Sequence, residues 1–146
     1  MTAQGEDILA YLDRVITARV DAALKTLDLA DRAEARRGRL PARWVFLANP
    51  ATGAGEIRDA DGGMIRARSA WPDEGRHIAL NDPASVLRRC AADRKLIAEH
   101  GPFSATDLSC KGCGLDSHEE MVTGYYEDCP VLCALAEGYG WTEGER

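Results

Sequence analysis

Four of the five cysteines, Cys110, Cys113, Cys129 and Cys133, lie within 24 residues of one another. Nothing else constrains the chain so strongly. A structural zinc takes about four Cys or His donors in a tetrahedron and fastens the segments that supply them. Cys110-Lys111-Gly112-Cys113-Gly114 is a C-x2-C turn offering two donors from one loop. Gly112 and Gly114 suit that turn because glycine takes positive φ without steric penalty, and the turn amides can point at the sulfurs. Cys129 stands directly before Pro130 and the apolar start of a helix. Proline favours the first helical position, which puts Cys129 at the N-cap, where free amides and the helix dipole favour a thiolate. The 15 residues between Cys113 and Cys129 fall within zinc-site spacings.

The fourth donor has three candidates. His100 ends a helix ten residues before Cys110, and it is the preferred ligand because it would tie that helix to the turn. Cys133, four residues after Cys129 and on the same helical face, is the alternative; otherwise it packs beside Leu132 and Ala136. His118, in the polar stretch 116–120, ranks third. Two readings compete with metal binding. A redox C-x-x-C pair puts its first thiol at a helix N-terminus after a strand, whereas Gly112 and Gly114 predict a loop. Unrelated buried thiols are the other, and Cys90, among Val86, Leu87 and Ile97, fits that description.

At 146 residues the chain suits one domain, 1–146, with its own core. Hydrophobic content of 45% and charged content of 29% fit a globular protein. The longest aliphatic and aromatic run, Trp44–Ala48, is far too short to span a membrane. The N-terminal residues lack the basic and long apolar regions of a secretory signal. A cytoplasmic location is expected, where reduced thiols favour metal over disulfides. Charge is uneven: of the net −6, residues 101–146 carry −7, from nine acids against Lys111 and Arg146. Such a surface repels phosphate, so nucleic acid is not the expected partner.

Leu12, Ile16, Val20, Ala23 and Leu27 recur at helical steps, predicting one long amphipathic helix over 6–37. The stripe packs on its own domain or pairs two copies in a homodimer. Arg32, Arg36, Arg37, Arg39 and Arg43 form the one basic cluster, read first as a solvated helix end. Residues 43–69 read as a small antiparallel β meander, with Ala60-Asp61-Gly62-Gly63 as a hairpin turn. Residues 71–75 read as a loop, and 77–80 fit a helical turn or a strand. Asp82-Pro83 opens a second helix, 82–100, as N-cap and first position. Residues 100–139 form the zinc-knuckle-like segment, which ends in a short helix. The fold class is therefore α+β.

His77-Ile-Ala-Leu-Asn-Asp-Pro-Ala-Ser-Val-Leu-Arg-Arg-Cys-Ala-Ala-Asp-Arg-Lys-Leu-Ile97 resembles an HIA-x-x-DP-x-x-VLR…KR-x-I segment, and Cys129-Pro-Val-Leu-Cys-Ala-Leu-Ala136 resembles CPTLRALA. Both segments occur in a family of small proteins of unknown function encoded by actinobacteria and their phages. The resemblance implies no activity; it implies a bacterial cytoplasm, that of the host if the gene is a phage's. Cys133 stands where that family usually has Arg, which again favours His100. After Tyr139 an HPDYR-like ending is replaced by Gly140-Trp141-Thr142-Glu143.

Three function classes follow. The first is a non-enzymatic interaction module with a structural Zn2+, in one form a phage-encoded modulator of a host protein; its support is an acidic face and the exposed-looking Tyr125, Tyr126 and Trp141, each of which fits an interface or a cover over the knuckle. The alternative is a nucleic-acid-binding regulator using the arginines of 32–43. The second alternative is a zinc-dependent hydrolase with Glu119 or Glu120 as base. Zinc deaminases need an H-x-E helix before P-C-x-x-C; His118 is followed directly by Glu119, and Pro130 follows its Cys. No catalytic residue is assigned, since three histidines without a nucleophile motif define no constellation.

Overall fold

The computed structural model describes residues 7–142. The helix start at Glu6, the signal-sequence reading of residues 1–6, and Glu143, Glu145 and Arg146 of the acidic segment lie outside them. Among the described residues the fold is α+β, as the sequence predicts: α1 (Ile8–Lys25), α2 (Leu29–Arg36), strands β1 (Trp44–Ala48), β2 (Gly55–Asp59) and β3 (Ile65–Ala70), then α3 (Pro72–Leu80), α4 (Pro83–His100) and, after a 3-10 turn, α5 (Pro130–Gly138). No helix among them is long and apolar enough to cross a membrane.

The helical pattern over 6–37 is divided in two. The apolar stripe reaches the joint and stops there: Ala23 in α1 and Leu27 in the joint are buried, while α2 has no buried residue. Hydrogen bonding makes the break. Thr26 Oγ1 donates to Ala23 O at 2.7 Å, and the Asp28 side chain accepts from the Asp31 amide at 2.9 Å. Asp28 thus starts a new helix as its N-cap. Arg32 closes the joint: its Nε donates to Leu24 O at 2.9 Å and its Nη2 to Leu27 O at 3.0 Å, satisfying carbonyls at the end of α1.

The chain forms two compact units, one of residues up to 18 with those from 91 onward, the other of residues 19–90. In the second unit the sheet is a meander in the order β1-β2-β3, with Phe46 opposite Ile57. Ile57 is fully buried. The hairpin turn between β2 and β3 holds Gly62 at φ 82°, the left-handed region that glycine enters freely. Arg66 clamps Asp59 through Nε at 2.7 Å and Nη2 at 2.8 Å, and both side chains are largely buried.

Residues 71–80 correct the sequence reading of a loop followed by an undecided turn or strand. They form α3, with Pro72 at its first position and Asp73 and Glu74 in the first turn, where the helix dipole favours acids. The reason lies in packing on β1 and β2. A Cβ on Gly75 would stand 2.2 Å from Cδ2 of Phe46, so only glycine lets the helix lie so close. Asp82 caps α4 as expected, accepting from Ser85 N at 2.6 Å. It also accepts from Trp44 N at 2.9 Å. This fully buried carboxylate therefore joins β1 to the start of α4.

The first unit has a core of Ile8, Tyr11, Leu12, Tyr126, Leu132 and Ala136, closed by Trp141 and by Cys110 and Cys129. Tyr11 meets Trp141 edge to face at 4.4 Å and donates to Tyr139 O at 3.0 Å.

Candidate metal centre

His100 is the last residue of α4, and the chain reverses immediately after it at Gly101-Pro102. Pro102 pairs with Cys110 in an isolated antiparallel bridge, and the Lys111 amide donates to Gly101 O at 3.3 Å. The C-x2-C turn is thereby laid back against the end of α4. The other side of the turn is held by Cys110 N to Thr123 O at 3.0 Å and Val122 N to Gly114 O at 3.0 Å. Gly114 has φ 73°, as the turn reading requires. Gly112 serves a different need: a Cβ there would lie 2.8 Å from both Cγ and Nδ1 of His100 and 2.7 Å from Glu99 O. Its role is space for the imidazole, and its φ is not positive.

Cys129 arrives from the far end of the sequence as the N-cap of α5, directly before Pro130. His100, Cys110, Cys113 and Cys129 each point one donor atom into a common centre, all within 4.8 Å of one another. His100 Nδ1 lies 3.5 Å from the Cys110 sulfur, 3.9 Å from that of Cys113 and 3.4 Å from that of Cys129. The Cys113 and Cys129 sulfurs are 3.6 Å apart. That is far from a disulfide bond length of about 2.0 Å, and all five cysteines are free thiols. Four donors so placed are close enough to bind a metal ion.

Electrostatics at the centre oppose one another. Burial pushes the Cys129 thiol up to about 11, against the amides of Leu132 and Val131, which favour its thiolate. The N-cap therefore acts as the sequence predicts, but burial outweighs it. The Thr123 hydroxyl, more than the neighbouring thiols, holds Cys113 below the usual thiol range.

Cys133 stands outside this group, its Sγ donating to Glu127 O at 3.3 Å. His118 lies in an exposed turn in which the Asp116 carboxylate accepts from the His118 and Glu120 amides. Cys90 is a buried residue of α4. The exposed reading of the aromatics needs correction: Tyr126 and Trp141 are core residues, at 8% and 7% exposure, and of the three only Tyr125 is open to solvent. Burial lifts the Tyr126 hydroxyl to about 12, helped by Asp7, to which it donates at 3.2 Å. Between α4 and α5 the exposed large aliphatic and Phe side chains are instead Phe103, Leu108, Leu115 and Val122. The sequence carried no signal for them, because isolated apolar residues in loops look like core. In the basic cluster, Arg32 is taken up by backbone carbonyls, Arg37 and Arg39 reach Glu34 at 2.6 and 3.2 Å, and Arg43 lies 3.9 Å from Asp82.

A family model described as a family of unknown function (DUF6221) matches residues 6–140. No curated protein and no solved structure matches the chain.

Proposed function

Because the chain belongs to this family of unknown function, its role has to be read from its own residues, and we propose that it is a small non-enzymatic interaction protein whose C-terminal segment is fastened by a structural Zn2+ held by His100, Cys110, Cys113 and Cys129. The observation that carries this reading is the set of donor distances. Zinc bonds of about 2.3 Å to sulfur and 2.0–2.1 Å to nitrogen require tetrahedron edges of about 3.8 Å between sulfurs and about 3.6 Å from sulfur to nitrogen. Of the six edges, the three from nitrogen to sulfur are 3.4, 3.5 and 3.9 Å and the Cys113–Cys129 edge is 3.6 Å, while the two from Cys110 to the other sulfurs fall within 4.8 Å. Three thiols and an imidazole are also the donors that select zinc among abundant cations.

Four protein donors complete a tetrahedral shell and leave no position for a catalytic water, which supports a structural over a hydrolytic metal. Arg32, the first arginine of the basic cluster, is held by the carbonyls of Leu24 and Leu27, which takes it from any nucleic-acid patch and supports a protein partner. The acidic segment and the exposed Phe103, Leu115 and Val122 support the same choice. The resemblance over 77–97 and 129–136 supports an actinobacterial or phage gene acting in a bacterial cytoplasm.

Metal analysis of protein purified in reductant, without chelator, is expected to give about one zinc per chain. Cobalt substitution assigns the ligands, since charge-transfer intensity grows with the number of coordinated thiolates. Cys133→Ser should leave the intensity unchanged, and His100→Ala should abolish the tetrahedral spectrum or weaken cobalt affinity. Metal-free protein, or a drop in intensity on Cys133→Ser with His100→Ala silent, would refute the assignment.

A further inference from the structure

β1 is an edge strand, since the sheet order is β1-β2-β3. Its hydrogen-bonding parity follows from the flanking bonds. Arg43 O accepts from Ala60 N at 2.7 Å and Asn49 N donates to Ala54 O at 2.8 Å, so residues 43, 45, 47 and 49 bond towards β2. Trp44, Phe46 and Ala48 then direct their N–H and C=O groups away from the sheet. The Trp44 amide is taken by Asp82. Among the described residues no hydrogen bond from another element reaches the amides of Phe46 and Ala48. An edge left in this state is a template for another strand.

A groove of about 550 Å³ lies between β1 and the last turns of α3. Its floor and walls are apolar: Trp44, Phe46 and Ala48 from the strand, Ala79 and Leu80 from the helix. Leu80 is 68% exposed, an aliphatic side chain left in water at the rim. The two charged residues that line the groove, Arg43 and Arg76, are both cations, and their side chains are 60% and 67% exposed. Each has a carboxylate near it, Asp82 at 3.9 Å and Asp73 at 3.3 Å, but contacts as open as these leave guanidinium donors to spare.

We propose that the groove between β1 and α3 binds an extended acidic peptide segment of a partner protein, which adds to β1 as a fourth strand. Main-chain bonds to Phe46 and Ala48 would supply affinity irrespective of sequence. The groove would take one apolar side chain, and Arg43 and Arg76 would select carboxylates beside it. The proposal rests on the interaction half of the function proposed above and not on the metal. Zinc content and peptide binding are separate readouts, so either can fail alone.

The probe is an end-capped hexapeptide of alternating Glu and Val, titrated into the zinc-loaded full chain while backbone amide NMR signals and amide exchange are followed. Saturable shifts centred on β1 and α3, with slowed exchange at Phe46 and Ala48, are expected. Ala48→Pro, which deletes an outward amide without touching the bonds to β2, should weaken binding, and Arg76→Glu should weaken it at least about fivefold. Unchanged signals elsewhere in the sheet show that each variant is folded. An Asn-and-Val peptide should bind more weakly, and one N-methylated at alternate residues not at all. Absence of shifts, shifts away from the groove, equal binding of the uncharged peptide, or a DNA oligonucleotide moving the same signals would overturn the proposal. So would slow exchange at Phe46 and Ala48 without peptide at high protein concentration, which would mean that a second copy covers the edge.

Discussion

Gly112 makes room for the imidazole at the proposed metal centre, although it offers no donor. With Cγ and Nδ1 of His100 each 2.8 Å from where its Cβ would stand, Gly112→Ala must move the imidazole or the turn. It is expected to lower zinc affinity by about tenfold to hundredfold, the range for residues that orient a ligand. Competition with a colorimetric chelator measures it, and unchanged affinity would mean that the turn relaxes freely. Tyr126 gives a pH signature in the same unit. Its hydroxyl titrates near 10 when unfolded and is raised to about 12 in the fold by burial and then by Asp7. Folding favours the neutral phenol, so the stability it contributes is fully present below pH 10 and is lost as pH rises from 10 to 12. Urea unfolding across that window should show wild type losing stability faster than Tyr126→Phe. The variant should be weaker near pH 7 by about 1 kcal/mol, for the lost bond to Asp7.

At the level of elements, two single residues decide how helices meet the sheet. Gly75→Ala tests the first. Helix propensity alone would favour alanine by about 1 kcal/mol. A Cβ 2.2 Å from the Phe46 ring cannot be absorbed without parting α3 from β1, and overpacking costs about 1–3 kcal/mol. Net destabilisation is expected, read as a lower urea midpoint. Asp82→Ala removes the cap of α4 and orphans the Trp44 amide, at an expected cost of about 2–4 kcal/mol. Much of this was legible in advance. The meander, the Gly62 turn and the Asp82-Pro83 helix start each carried their own turn or cap chemistry. The break before α2 was legible through Asp28, an N-cap residue placed directly after Leu27, the last residue of the apolar stripe. The start of α3 carried Pro72, Asp73 and Glu74, but Gly75 masks the pattern for a reason that lies in Phe46.

For the molecule as a whole, the four donors belong to one of the two units, so metal removal should act unevenly. Chelation is expected to lower the melting temperature, since metal affinity contributes directly to folding. Hydrogen exchange should accelerate at the Cys110, Val122 and Tyr126 amides, whose bonds hold the knuckle, and much less at β2. Equal acceleration throughout would mean that the metal is not local to its unit. Charge acts over the full chain too: with a net of −6, duplex DNA should show no salt-sensitive shift at submicromolar protein in physiological salt.

The sequence by itself determined what depends on short spacings. C-x2-C, Cys129-Pro130 and Asp82-Pro83 specify a turn and two helix starts within a few residues, and local conformation is enough to realise them. The α+β class followed from period and punctuation. The sequence narrowed the donors to Cys110, Cys113, Cys129 and a preferred His100 over Cys133, and tertiary structure is what brings those four together. His100 and Cys129 are 29 residues apart and come within 3.4 Å because the chain reverses after α4 and the core seats α5, neither of which spacing encodes. It also decided which aromatics face water. Tyr126 and Trp141 are buried because Leu12, Leu132 and Ala136 form a core that the two rings complete. Burial is a property of what packs against a residue, and in this chain the packing partners come from opposite ends of the sequence.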